Sequence, residues 1–409
     1  MLIEPPASSA LKMRRALGRL RRSAAVENTA NFFGLYRRRA HQRLHHRFVR
    51  GTWLHTADYL AAQRLRGHSH AGADSGGRTL VPPPTFLLPP PVTPPGGGIL
   101  VTRRPAGITE LVRPWVVGHS GAVIGRDRQL LWDLSYEWPG RPQSHTTYQL
   151  AQLEAPPLPG ITLTLAAMAA EKNYFHFLLN SLARLAYLAH LPPHLAPDRY
   201  LISGAVTPSV LDVLTLLGIP RDRVIGTADY PAFRPELLIA PPLIHHPFVV
   251  PAHVCDFLHD AIVGHRPPPT RRRRLFIDRS DARHRRIVNV DALRSTLEAF
   301  DLELIQLTGR SVAHQAALFH DASLVVANHG AALSNLVFCA PGTRVIQILA
   351  PGMMEREYRT ISHHRGLQHD YLAADFATPA DARLPRKDRD LVLPPDLLRR
   401  ALDSALLSA

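Results

Sequence analysis

The sequence predicts an α/β protein built as two Rossmann-type halves facing a cleft, preceded by a basic N-terminal arm and a Pro-rich linker. Three observations predict it. From Ile161 onward, short apolar runs rich in Leu, Ile and Val alternate with segments of helical periodicity. The connections between them are short, which favours a parallel sheet with helices on both faces. A His- and Pro-rich stretch over 245–270 interrupts the alternation as an inter-domain crossover would, and ligands commonly bind where two such halves meet. The expected divisions are an arm at 1–70, a linker at 71–98, an N-terminal half at 99–250 and a C-terminal half at 251–409.

Length and charge fit this plan. The chain has 409 residues, 45% of them apolar, enough for a sizeable core and for more than one domain. The net charge of +15 is concentrated at the start. Residues 1–70 carry 14 Lys and Arg against 3 Asp and Glu, a net of +11, so the rest carries only +4. That distribution argues against a nucleic-acid-binding body, and no recognition motif accompanies it. The arm's mix of Arg with Phe32, Phe33, Tyr36, Phe48 and Trp53 fits an anionic membrane surface, and fits equally a solvated arm or a helix packed on the body. No apolar run is long enough to span a bilayer, and Arg interrupts every apolar stretch near the N-terminus. A cytoplasmic protein, peripheral at most to the inner membrane, is expected. Cys255 and Cys339 form no CxxC pair and read as small buried hydrophobes.

The linker follows from Pro82–Pro84, Pro89–Pro91, Pro94-Pro95 and Gly96–Gly98, a density at which no helix or central strand survives. Residues 115–136 read as short strands around a Gly125-Arg126-Asp127 turn. In the N-terminal half, strands are expected at 161–165, 200–202, 223–225 and 237–240, with helices at 173–190 and 208–217. In the C-terminal half, strands are expected at 275–278, 302–307, 324–327 and 345–349. Asn289 caps a helix to Phe300, Ser311–Phe319 is a second, and Gly330 opens a third that Pro341-Gly342 stops. A final helix lies near 395–407.

Three segments carry candidate chemistry. Asn328-His329-Gly330-Ala331-Ala332-Leu333-Ser334-Asn335 follows a buried strand and opens a helix. Its small residues allow close backbone approach, and a helix start suits a diphosphate. A plain strand-to-helix turn fits the local pattern equally well. Arg279 to Arg286 follows the first strand of the same half, where arginines can grip phosphate oxygens bidentately. The third is the helix beginning Glu171-Lys172-Asn173. At 100° per residue, Asn173, His176, Asn180, Arg184 and Tyr187 share a narrow arc, opposite Phe175, Leu178, Leu179, Leu182 and Leu185. Such a stripe, poor in Lys and Glu, suits a cleft better than solvent. The fingerprints of dinucleotide and P-loop binding are absent.

Taken together, these segments resemble glycosyltransferase family 61, which includes xylosyltransferases, O-linked N-acetylglucosaminyltransferases and capsule-biosynthesis proteins. The resemblance spans about residues 100–375. It is carried by Asn173-Tyr174-Phe175-His176-Phe177-Leu178-Leu179, by Arg279, Ala282, Arg285 and Asn289, and by His329 to Asn335 with Phe338, Pro341-Gly342-Thr343 and Val345-Ile346. The sequence departs from the family pattern at Phe177 (usually Trp), Asn180 (Asp), Ala183 (Pro), Val290 (Glu) and Gln347 (Glu). The resemblance implies the GT-B fold and an inverting, metal-independent transfer with no resident cofactor, the nucleotide sugar being substrate. The expected roles are Arg279, Arg285, His329, Gly330, Ala331, Asn335 and Gln347 for the donor, and Asn173, Asn180 and Arg184 on the acceptor side. His176 is the first candidate base and Glu171 the second. The partners would be a nucleoside-diphosphate sugar, UDP-linked in the first instance, and a saccharide acceptor in capsule or other surface polysaccharide synthesis. The alternative is a saccharide-binding or assembly protein that keeps the fold without turnover.

Overall fold

A computed structural model of the chain describes residues 48–67, 77–81, 108–137, 145–150, 153–243, 250–264, 266–267, 272–353, 357–377, 385 and 388–407. Its internal contacts divide it into two units. In the smaller, the Phe48 amide donates to the Leu150 carbonyl at 2.9 Å, beside the single-turn helix Thr146–Gln149. The larger, Arg50–His145 with Glu154–Ala409, holds both main sheets.

The first sheet is mixed. Its parallel part comprises β7 (Pro157–Thr164), β8 (Arg199–Ile202), β9 (Val224–Gly226) and β10 (Ala232–Ala240), in the order β10-β7-β8-β9. The other edge of β10 takes β3 (Ile108–Val112) and β4 (Trp115–Val117) antiparallel. The meander continues through β5 (Ala122–Ile124) and β6 (Gln129–Leu131) to β1 (Gly51–Trp53), while β2 (Gly77–Val81) pairs with β3.

The ordered body thus reaches into the stretches expected as arm and linker. β1 comes from the last third of the arm and β2 from the linker. Helix α1 (Thr56–Gly67) follows β1 and buries Tyr59 and Leu60 against Leu131, Leu134 and Phe233. Asp133 accepts from the Thr56 amide at 2.9 Å and its hydroxyl at 2.5 Å, satisfying the helix start. Net charge had marked these residues as arm, but Tyr59 and Leu60 seat α1 in the core. Residues 1–47, which carry most of the expected membrane-facing segment, lie outside the described residues. Among the described residues no helix is long and apolar enough to cross a membrane.

The second sheet is wholly parallel: β11 (Arg273–Asp278), β12 (Leu302–Gln306), β13 (Ala322–Asn328), β14 (Arg344–Leu349) and β15 (Gln368–Ala373), in the order β12-β11-β13-β14-β15. Every expected strand of this half is present. Their crossovers include α4 (Val290–Ala299), α5 (Val312–His320) and the 3₁₀ helix Ala331–Phe338. The chain ends on α7 (Pro395–Leu407), which packs Leu398 and Leu402 under the second sheet. The expected crossover at 245–270 contains a helix that its prolines hid. In α3 (Ala252–Ile262), Val254, Cys255, Leu258 and Ile262 form one buried face. Together with the 174–190 helix, α6 (Glu357–His364) and the Ala331–Phe338 helix, it fills a core continuous from Leu163 and Ile239 of the first sheet to Leu275 and Val325 of the second. Both cysteines lie in that core, fully buried.

Two outcomes follow. Leu60→Ala removes a buried side chain from the α1 seat and should destabilise the fold by about 2–5 kcal/mol, read as a lower urea midpoint; a loss near zero would return α1 to a dispensable arm. Burial also holds the His253, His259 and His364 imidazoles below their ordinary value of 6.5. The unfolded chain then binds more protons than the folded one as pH drops through that value, so stability present above it is lost on acidification. The urea midpoint should be lower at about pH 5.5 than at about pH 7.5, and His364→Asn should narrow the gap.

Candidate active site

In the second sheet the strand order reverses direction between β11 and β13. The chain leaves β11 towards β12 on one side, then crosses back to β13 on the other. At such a reversal the loops after the two strands part, leaving a crevice at their carboxyl ends. Arg279 follows β11 directly, and His329-Gly330 follows β13 directly.

Arg279 and Gly330 are in intimate contact. A Cβ on Gly330 would fall 2.2 Å from Arg279 Nη1 and 2.6 Å from its Cζ. Gly330 is extended, with φ 169°, so the glycine is needed for room and not for an unusual backbone. Burial pushes the Arg279 guanidinium below its ordinary range, and the neighbouring Arg285 charge pushes the same way. Among the described residues, the buried Nε atoms of Arg279 and Arg285 meet no hydrogen-bond acceptor. Desolvated cations left short of partners are costly, and a convergence of two of them in a crevice marks a place for an anion.

The loop that carries Arg285 is fastened from two sides. Arg285 adopts the left-handed conformation, φ 59°, unusual for a side chain of its size. Its carbonyl accepts from Asn328 Nδ2, at the end of β13. One residue on, Arg286 Nη2 and Nε both donate to Asp390 Oδ2, at 2.6 and 3.0 Å, and its backbone amide donates to Asp390 Oδ1 at 2.8 Å. Burial opposes ionisation of Asp390, but the Arg286 hydrogen bonds outweigh it and hold the carboxyl below its usual range. Asn289 donates to the Leu393 carbonyl at 2.8 Å and accepts from its amide at 3.0 Å. The Asp388-Arg389-Asp390 run is therefore a fastening strip: Asp390 is half-buried against Arg286, and Arg389 lies 5.1 Å over the Phe376 ring.

His329 sits half-buried at the crevice, its ring 5.5 Å from Tyr358 of α6. Gln347 Nε2 lies 3.3 Å from His329 Nδ1, and Gln347 Oε1 lies 2.9 Å from His369 Nε2. Gln347 is fully buried. Its amide lies between two histidines, and its burial leaves it no surface to offer a ligand directly. Asn335, also expected at the donor, is fully buried too. It accepts from the Tyr174 hydroxyl at 2.7 Å and donates to Gln315 at 2.9 Å. It ties the 174–190 helix to the Ala331–Phe338 helix. Ala331 is half-buried at the first turn of that helix, next to Gly330.

The 174–190 helix is not the uniform α-helix that the stripe assumed. One α turn, Tyr174–His176, passes into a π turn at Phe177–Ser181 and then into 3₁₀ geometry at Leu182–His190. The angle per residue changes twice, so a fixed 100° projection loses its phase. Asn173 is exposed and caps the helix, accepting from the Phe175 amide at 2.9 Å. Asn180 is buried and its Nδ2 meets His176 Nδ1 at 2.9 Å. Arg184, expected to face an acceptor, is 1% exposed. It donates to the Ala166 and Pro241 carbonyls at 2.7 and 2.6 Å, joining the exits of β7 and β10. Burial lowers its pKa to about 9 and raises that of buried Tyr187 to about 12. Arg184 and Tyr187 are core residues.

Only the head of this helix meets the second sheet's loops. Phe175 stacks edge-on to His176 at 5.4 Å and to Tyr358 at 5.9 Å, making an aromatic row from His176 to His329. Burial lowers the His176 pKa. Glu171, just before the helix, packs on Gly204 at the exit of β8, where a Cβ would fall 2.5 Å from Glu171 Cβ. One Glu171 oxygen, Oε2, is buried and meets no donor among the described residues, and the other lies 3.6 Å from Lys172 Nζ. Sequence reasoning missed Tyr358, His369 and Asp390. None sits in a motif, and each is brought in by topology; the Glu357-Tyr358 pair at the head of α6 offered no pattern to find.

The comparisons agree with this geography. No curated protein matches the chain. Residues 174–346 match the family model of glycosyltransferase 61. The matched stretch opens at Tyr174, includes His176, Arg279, Arg285, His329 and Gly330, and closes one residue before Gln347. Over that stretch the chain is similar to glycosyltransferase family 61.

Proposed function

We propose that the chain is an inverting glycosyltransferase of GT-B type. It moves a sugar from a nucleoside diphosphate, UDP in the first instance, to a saccharide hydroxyl, in the synthesis of capsule or another surface polysaccharide. The observation that carries this reading is the pair of buried, acceptor-poor arginine Nε atoms at the strand reversal, with Gly330 cut back to admit Arg279. Two fixed cations suit a diphosphate that gains charge as the glycosidic bond breaks, so the reading calls on no metal to stabilise the leaving group.

In a single displacement the acceptor oxygen attacks the anomeric carbon, the carbon–oxygen bond to the diphosphate breaks, and a base takes the acceptor proton. His176 and Glu171 compete for that base. The Asn180 amide donates to His176 Nδ1, which places the proton of a neutral imidazole on Nε2 and makes it a donor towards ligand. Glu171 keeps a carboxylate oxygen without a donor. In this reading Glu171 is the base, and His176 holds the acceptor oxygen.

Arg279→Ala and Arg285→Ala should each weaken UDP binding roughly tenfold or more, the value of one charge-assisted hydrogen bond, measured by calorimetry. Unchanged affinity in both would sink the site. Glu171→Gln should lower turnover by about 10²–10⁴-fold with UDP affinity retained. If His176→Ala shows that loss and Glu171→Gln does not, the two roles exchange.

A further inference from the structure

Behind His329 stands a chain of side chains that runs away from the crevice into the sheet. The Ser362 hydroxyl, on α6, lies 2.7 Å from His369 Nδ1. His369 Nε2, on β15, lies 2.9 Å from Gln347 Oε1, and Gln347 Nε2, on β14, lies 3.3 Å from His329 Nδ1. The backbone at the far end is fixed as well, since the His329 amide donates to the Ile348 carbonyl at 2.9 Å.

A primary amide has one end that only accepts and one that only donates. With its oxygen towards His369, Gln347 requires a hydrogen on His369 Nε2, which leaves His369 Nδ1 to accept from Ser362. With its nitrogen towards His329, it requires a lone pair on His329 Nδ1. The hydrogen of His329 is then on Nε2. A second proton, on Nδ1, would set N–H against N–H, and the nearby cation Arg279 opposes it further. A carboxylate in place of the amide would do the reverse, accepting from both rings and favouring imidazolium. Tyr358 on α6 stands beside the His329 ring, His369 on β15 reaches it through Gln347, and its chain neighbour Gly330 packs on Arg279 of the loop after β11.

From this arrangement we infer that Gln347 is a positioning residue that sets the tautomer of His329. By donating to Nδ1 it places the hydrogen of the neutral ring on Nε2. The nature of the ligand rests on the function proposed above; the state of the ring does not.

Two measurements on the full-length protein keep these apart. The first is long-range ¹H–¹⁵N correlation of histidine-labelled protein without ligand, with His329 assigned by its loss in His329→Gln. The expected signal is a neutral ring with pyridine-type Nδ1 and pyrrole-type Nε2 at neutral pH. Gln347→Glu should move the hydrogen to Nδ1 and raise the pH at which His329 titrates. The second is UDP affinity against pH. In Gln347→Glu, relative to wild type, UDP should bind roughly tenfold tighter on the acid side of the new titration than above it, the gain from charging one hydrogen bond. An Nδ1–H tautomer or an imidazolium in the wild type at neutral pH would overturn the inference. So would a Gln347→Glu protein in which His329 keeps the wild-type tautomer and titration. If Gln347→Glu does not fold, the wild-type spectrum decides alone. The expected tautomer with no UDP binding at any pH would leave the inference standing and remove the donor reading.

Discussion

The organising constraint of this molecule is the desolvated positive charge at the reversal of its parallel sheet. Arg279 and Arg285 are half-buried, each with a buried Nε that meets no acceptor among the described residues, and burial pushes the Arg279 guanidinium below its ordinary range. The surrounding structure keeps them in place in spite of mutual repulsion. Gly330 surrenders its side chain to Arg279. Arg285 accepts a left-handed backbone, held by Asn328 behind it and by the Arg286–Asp390 pair beside it. These are costs that packing alone does not explain, and they fall where the topology opens the sheet to a ligand.

The same economy of charge appears across the crevice. A row of rings runs there from His329 through Tyr358 and Phe175 to His176. The polar stripe of the 174–190 helix turns inward, and its one cation, Arg184, is spent on two strand exits. Positive charge is therefore confined to the side from which a leaving diphosphate would be held, and the opposite wall stays free to meet an uncharged hydroxyl.

The second sheet was almost wholly legible in the sequence, because its strands are short apolar runs bounded by turn residues; of the expected helix starts, Ser311 caps through its side chain, whereas the Asn289 amide is turned to Leu393 and caps nothing. Arg279, Arg285, His329 and Gly330 were legible for the same reason, as they stand directly after strands whose ends the pattern marks. Three things were not. The π and 3₁₀ turns of the 174–190 helix broke the fixed angle on which the stripe depended, so Asn180 and Arg184 were assigned to a surface they do not reach. The arm boundary was drawn by charge, which does not register the burial of Tyr59 and Leu60. Gln347 and Asn335 were read as ligand contacts since their neighbours are; only the fold shows that their amides are consumed internally.

The fastening strip at Asp390–Leu393 has a consequence for how this enzyme can be taken apart. Recognisable ancestry ends at residue 346, yet the loop presenting Arg285 is anchored more than forty residues later. A fragment trimmed to the recognisable stretch would keep both arginines in its sequence and lose what aims one of them. The borders of descent and the borders of the working part do not coincide, and the C-terminal tail is a component of the site it never touches.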